Sequence, residues 1–150
     1  MTIKTMKTAV ACALLMLGAA TTAQARDTKL MMPLAAAMSA NDAQSRLGDS
    51  VKFYFGNQPT PKVAEHLGID HTSQKTNSVG KSAETSCNWA FLSALLQFQK
   101  HAREIGADAV VNIVSNYKNV EMSSDTQFEC HDGALMTGVA LKGDFVKLAK

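Results

Sequence analysis

Ser86-Cys87-Asn88-Trp89-Ala90-Phe91-Leu92-Ser93-Ala94-Leu95-Leu96-Gln97-Phe98-Gln99-Lys100-His101-Ala102-Arg103-Glu104-Ile105-Gly106 runs, after two residues, into Ala109-Val110-Val111-Asn112-Ile113-Val114-Ser115-Asn116-Tyr117, and this stretch decides the fold. Phe91, Leu95, Phe98, Ala102 and Ile105 recur at intervals of four, three, four and three, the period of one helix face. Ser86 offers a cap for a helix beginning near Cys87. Gly106 ends it where a left-handed residue is favoured. Trp89, Leu92 and Leu96 widen the apolar stripe, while Lys100, Arg103 and Glu104 keep the far side wet. Aromatics at this spacing read as a core face rather than a ligand-binding one. The β-branched run that follows reads as a strand with Val111, Ile113 and Tyr117 on one side and Val110, Asn112 and Val114 on the other.

Working outward, residues 119–125 are a polar turn, a short strand through Phe128 reaches Cys130, and His131-Asp132-Gly133 suits a tight turn. A final strand over residues 134–141 places Leu135, Thr137, Val139 and Leu141 opposite Met136, Gly138 and Ala140, and the small pair Gly138 and Ala140 suggests a close approach of the helix. Gly143 interrupts it before Phe145, Val146 and Leu148. On the other side of the helix, residues 70–86 are rich in Ser, Thr and Lys, which fits an irregular loop or a short edge strand. A helical turn over residues 63–67 precedes them. Prolines 59 and 61 make the preceding segment a loop, and Val51-Lys52-Phe53-Tyr54-Phe55 alternates as a strand. Residues 34–47 form an alanine-rich helix stopped by Gly48, preceded by an extended segment from Arg26 to Pro33. The expectation is a single α+β domain over residues 26–150. In it one amphipathic helix packs on a small, mainly antiparallel sheet, stapled by one disulfide.

The first 25 residues have a different character. Lys4 and Lys7 supply charge, residues 9–20 are uncharged and apolar, and Ala23-Gln24-Ala25 supplies small residues, the pattern of a secretory signal cleaved between Ala25 and Arg26. Twelve apolar residues fall short of the ~20 that cross a bilayer as a helix, so no transmembrane segment is expected in the mature form. The order of residues around Cys12 is wrong for a lipoprotein signal. Fifteen basic residues oppose 13 acidic ones in the whole chain. Loss of Lys4 and Lys7 with the leader makes the mature domain formally neutral, which gives no net-charge argument for nucleic acid or an anionic membrane. A periplasmic or secreted protein is implied.

Of the three cysteines, Cys12 leaves with the leader, and Cys87 and Cys130 remain in an oxidising compartment where they are expected to bond to each other. Two free buried thiols, or a metal site that adds His131, are the alternatives. His66, His71 and His101 show no metal-ligand spacing around them, and no cofactor is indicated. No catalytic set emerges either. Val79-Gly80-Lys81-Ser82 imitates the end of a phosphate-binding loop, but position 75 is lysine instead of the first glycine. Ser78-Val79-Gly80-Lys81 and Ser115-Asn116-Tyr117-Lys118 both satisfy S-x-x-K, without the partner motifs that give it meaning.

Ser86-Cys87 before the helix, Gly106-Ala107-Asp108-Ala109-Val110-Val111 at the helix-to-strand turn, and Cys130 followed by Ala134-Leu135, Gly138 and Ala140-Leu141 together resemble the RcsF-type periplasmic domain and, more distantly, YbjQ-type domains, over residues 80–145. The resemblance implies a Cys87–Cys130 pairing. It departs from the family at Ser115 and Met136, where a second disulfide would lie, and in the missing lipidated cysteine and proline-rich tether. Segments such as residues 26–30, 51–56, 87–95 and 109–115 are similar to uncharacterised exported proteins, some labelled "excinuclease ATPase subunit", a label without support in any motif here. What is implied is a non-enzymatic exported domain that binds or senses an envelope component, with an envelope protein as its partner. The alternative is a periplasmic metal-binding or redox protein using Cys87, Cys130 and His131.

Overall fold

The computed structural model describes residues 25–150; all but the last residue of the leader expected over residues 1–25 lies outside them. Seven strands and three helices follow in the order β1 (Asp27–Pro33), α1 (Leu34–Ser39), α2 (Ala43–Leu47), β2 (Lys52–Phe55), β3 (Val63–Asn77), α3 (Ala83–Ile105), β4 (Ala109–Tyr117), β5 (Val120–Met122), β6 (Gln127–Gly133) and β7 (Met136–Leu148). The mixed α and β content and the single disulfide agree with the sequence expectation, but the sheet is neither small nor accompanied by one helix. All seven strands join one sheet, and α1 and α2 lie against α3.

β7 organises that sheet. Its whole length pairs antiparallel with β3, and β6 and β4 meet its start and its later residues. β3 covers one edge of β7 throughout, so β6 and β4 succeed one another along the other. β1 pairs antiparallel with β6, β5 with β4, and β2 parallel with β4. β3 replaces the helical turn expected over residues 63–67, and of the two readings of the residues after it, loop or short edge strand, it takes the strand, at greater length. It is an edge strand none of whose residues is fully buried, so polar side chains cost it little and left no apolar alternation to read.

α3 starts four residues before the position suggested by Ser86. The Ser82 hydroxyl accepts the Thr85 N–H at 3.1 Å and caps the helix. Ser86 is buried within the first turns, its hydroxyl unpartnered among the described residues. The end is where the sequence placed it, with Gly106 at φ 77° and its N–H on Ala102. The segment expected as one helix over residues 34–47 breaks in two, because Asn41 and Asp42 take left-handed backbone angles, φ 56° and 55°, which these two residue types tolerate best after glycine. His131, Asp132 and Gly133 do not turn. They finish β6, opposite Lys29, Thr28 and Asp27, and the chain reverses at Ala134 and Leu135.

β4 carries a bulge. Its register against β7 shifts between Val111 and Val114, and Asn112 lies at φ 50°. One extra residue reverses the alternation, so Val110 and Ile113, expected on opposite sides, both enter the core with Phe98 and Phe145. Val111 joins Ala109 and Val146 in a smaller cluster. Strand β7 passes through Gly143 without interruption. It is Gly143, rather than Gly138 or Ala140, that admits the helix. A Cβ there would lie 2.5 Å from Val110 Cγ1, 3.3 Å from Ile113 Cγ1 and 3.4 Å from Phe98 Cε2, whereas one on Gly138 would meet only Lys75 and Gln74. Gly143→Ala is therefore expected to lower the unfolding free energy by about 1–3 kcal/mol through overpacking. Adding Val110→Ala should recover part of the loss in a denaturant titration, and two strictly additive penalties would refute the contact.

Candidate functional site

The disulfide forms between the first turns of α3 and the middle of β6. Cys87 and Cys130 Cα atoms are 5.9 Å apart across a sequence separation of 43, and both side chains are wholly buried. Phe91, one helical turn from Cys87, stacks on Phe128 with ring centroids 4.3 Å apart. The covalent bond therefore continues directly into the aromatic core.

Alternation along β6 sends the neighbours of Cys130 the other way. Glu129 and His131 point away from α3, and their strand partners on β1, Met31 and Lys29, share that face. His131 is held at both ends, its Nδ1 2.7 Å from Asp27 Oδ1 and its Nε2 2.6 Å from Glu129 Oε1. A ring carrying hydrogens on both nitrogens serves both carboxylates at once; a neutral ring serves one. The Tyr117 ring lies flat on the imidazole, centroids 3.3 Å apart and planes 11° from parallel, while its hydroxyl donates to Asp27 Oδ2 at 2.8 Å. Lys29 reaches Glu129 at 3.2 Å and Lys118 approaches Asp27 at 3.9 Å. Beneath them the Ser115 hydroxyl accepts the Glu129 N–H at 2.8 Å, where β6 gives way to β4 along β7. Beside the cluster, Arg26 and the Thr137 hydroxyl both bind Asp132, at 2.6 and 2.7 Å.

Electrostatics follow from these contacts. The hydrogen bond from His131, then that from Tyr117, hold the Asp27 carboxyl below its usual value of 3.8. The bond to Asp27 and partial burial push the Tyr117 phenol above its usual 10.0. For Asp27 the folded-state value is the depressed one. Its contribution to stability is thus complete above the unfolded-state value and is lost as pH falls through the folded-state value. With 40 % of that side chain exposed, solvent screening keeps the contribution small. In a Tyr54→Phe background, phenolate absorbance should rise with a midpoint above 10.0, and Asp27→Ala should bring the midpoint down. A midpoint at or below 10.0 that ignores Asp27→Ala would contradict the geometry.

The cluster borders an open hollow of about 260 Å³ to which Ala25, Arg26, Lys75, Met136 and Gly138 also contribute. Sequence reading named His131 and Cys130 together. The fold puts them on opposite faces, with Cys130 bonded to Cys87 and His131 bonded to carboxylates, so His131 does not join the two sulfurs. Among the described residues no group of three or more His, Cys, Asp and Glu is arranged to hold a metal ion. The S-x-x-K serines have structural partners: Ser78 donates to the Gly133 carbonyl at 2.9 Å and Ser115 is occupied by Glu129. A second histidine grouping, unsuspected from spacing, brings His71 and His101 to Asp70 at 4.0 and 3.7 Å. Asp27, Lys29, Glu129 and Tyr117 were missed in the sequence. Their one signal was charge at alternate positions in two strands, Asp27 with Lys29 and Glu129 with His131, which becomes informative only once those strands are paired. Compared with known proteins, the chain matches no family model, no curated protein and no solved structure.

Proposed function

We propose that this is an exported, non-enzymatic domain of the cell envelope that binds or senses an envelope component, working in the periplasm or outside the cell after cleavage between Ala25 and Arg26. The observation that carries the reading is the buried Cys87–Cys130 bond, because a structural disulfide of this kind forms and persists in oxidising compartments. The RcsF-type resemblance implies the same pairing and adds weight to an envelope role. The His131 cluster fits recognition better than turnover. Its carboxylates, phenol and imidazole are bonded to one another, and the hollow beside it is wide and open, a shape suited to a partner surface.

Crosslinking in the native envelope followed by capture of the chain tests the proposal. A reproducible partner whose yield falls with substitutions around His131 is expected, and no partner across repeated preparations would count decisively against it. Thiol titration of the native protein separates the alternative. Two reactive thiols would replace this reading by the metal or redox one.

A further inference from the structure

β1 is lightly anchored. Its one strand partner is β6, none of its seven residues is fully buried, and Leu30 and Met32 are its contacts with the core. A segment with so little buried surface can open without the rest of the domain. Its polar contacts therefore carry weight: Arg26 just before it on Asp132 at 2.6 Å, Lys29 on Glu129 at 3.2 Å, and Asp27 on His131 and Tyr117.

The contact between Asp27 and His131 depends on a proton count. With Nδ1 2.7 Å from Asp27 and Nε2 2.6 Å from Glu129, the closed cluster holds one proton more than a neutral ring and two carboxylates carry. When that proton leaves, a nitrogen lone pair faces a carboxylate oxygen and one attraction becomes a repulsion. Glu129 belongs to the same strand as His131 and stays beside it, whereas Asp27 belongs to β1 and can withdraw. The other charged or titratable groups around the ring are Tyr117 and Lys118 at the end of β4, Lys29 on β1, and Arg26, Asp132 and Lys75 about the hollow. Of the side-chain types in this set, imidazole is the one that ordinarily changes charge near neutral pH. The remaining histidines stand elsewhere, His66 beside Asp144 and His71 and His101 about Asp70.

We propose that β1 is a proton-gated strap: His131 carrying both ring hydrogens ties Asp27 across β6, and loss of one proton near neutral pH frees the strand to leave the β6 edge. Opening uncovers the backbone of β6 from Gln127 to Gly133 and the core positions covered by Leu30 and Met32. Closing takes up a proton, so the closed form gains as pH falls and loses as pH rises, by at most about tenfold per pH unit for one proton. Far into acid the contact is lost again, because Asp27 itself becomes protonated and the strap is tightest between the two limits. This inference stands on the geometry of the cluster and not on the exported-domain reading, so either can fail without the other.

Hydrogen exchange of the native protein tests it, followed on residues 27–33 and corrected for the intrinsic pH dependence of exchange. Protection there is expected to fall about tenfold between roughly pH 6 and pH 8, while residues 91–102 in α3 keep theirs. His131→Gln, which cannot hold the extra proton, should lower protection at the acid end of this range and abolish its pH dependence. Glu129→Gln should act the other way at the alkaline end. Its amide N–H donates to Nε2 of a neutral ring while Nδ1–H donates to Asp27, so both bonds survive and protection stays high. Protection in the parent that is flat across the range overturns the proposal, as does a fall that persists in His131→Gln. A fall in Glu129→Gln equal to the parent's also overturns it, and that arm decides alone if the His131 variant does not fold.

Discussion

Removing the disulfide, by Cys87→Ala with Cys130→Ala, should lower the unfolding free energy by about 4 kcal/mol. Such a loop contributes that much in the chain-entropy model, because the crosslink removes configurations from the unfolded chain. For a domain of this size the loss corresponds to a fall in melting temperature of roughly 10–15 °C. Because both cysteines are wholly buried, reductant has no route to the bond in the folded state. Reduction is expected to follow the rate at which the domain opens rather than the reductant concentration. Denaturant unfolding of the variant beside the oxidised and reduced parent checks both statements. A difference under about 1 kcal/mol would mean that the bridge does not constrain the fold as its position implies.

The second large effect is expected at Phe91. Its ring stacks on Phe128 and lies 5.7 Å from Phe55, so one side chain of α3 joins β2 to β6 across the core. Phe91→Ala should cost about 3–5 kcal/mol, since the rings around it belong to separate elements and cannot all collapse into the space. Total domain stabilities are of order 5–15 kcal/mol, so this loss removes a large share of the margin that keeps the domain folded. Phe91 sits one helical turn from Cys87, so its loss and that of the disulfide should not add. A double-variant cycle in urea measures the coupling, and simple additivity would show that the bridge and the aromatic stack act independently.

What could be read from the sequence follows the difference between local and distant causes. α3 was legible because its apolar period and Gly106 are local signals, and the Cys87–Cys130 pairing was legible because only these two cysteines lie outside the expected leader. Strand β3 was legible only as an alternative to a loop, since even its inward-facing positions, Asp70, Thr72, Gln74 and Thr76, are only half-buried and carry polar side chains, so no apolar alternation marks it. The faces of β4 were inverted by one left-handed residue, Asn112, and asparagine tolerates that conformation without announcing it. The role of Gly143 was equally hidden, because its value lies in the side chains of Val110, Ile113 and Phe98 that occupy the space a methyl group would take. The His131 cluster depended on pairing Asp27 with a strand more than 100 residues later. In sequence it was a set of ordinary surface charges.

That last pairing also fixes an order of events. A chain synthesised from its first residue presents β1 before any other described element, yet β1 has no strand partner until β6 arrives, with Asp27 opposite Gly133. The earliest strand to emerge is among the last to find its place. Until then Leu30 and Met32, which pack against the core, stand open to proteases and to holding chaperones. Completion of the domain thus waits on delivery of nearly the whole polypeptide, as expected where contacts span long stretches of sequence.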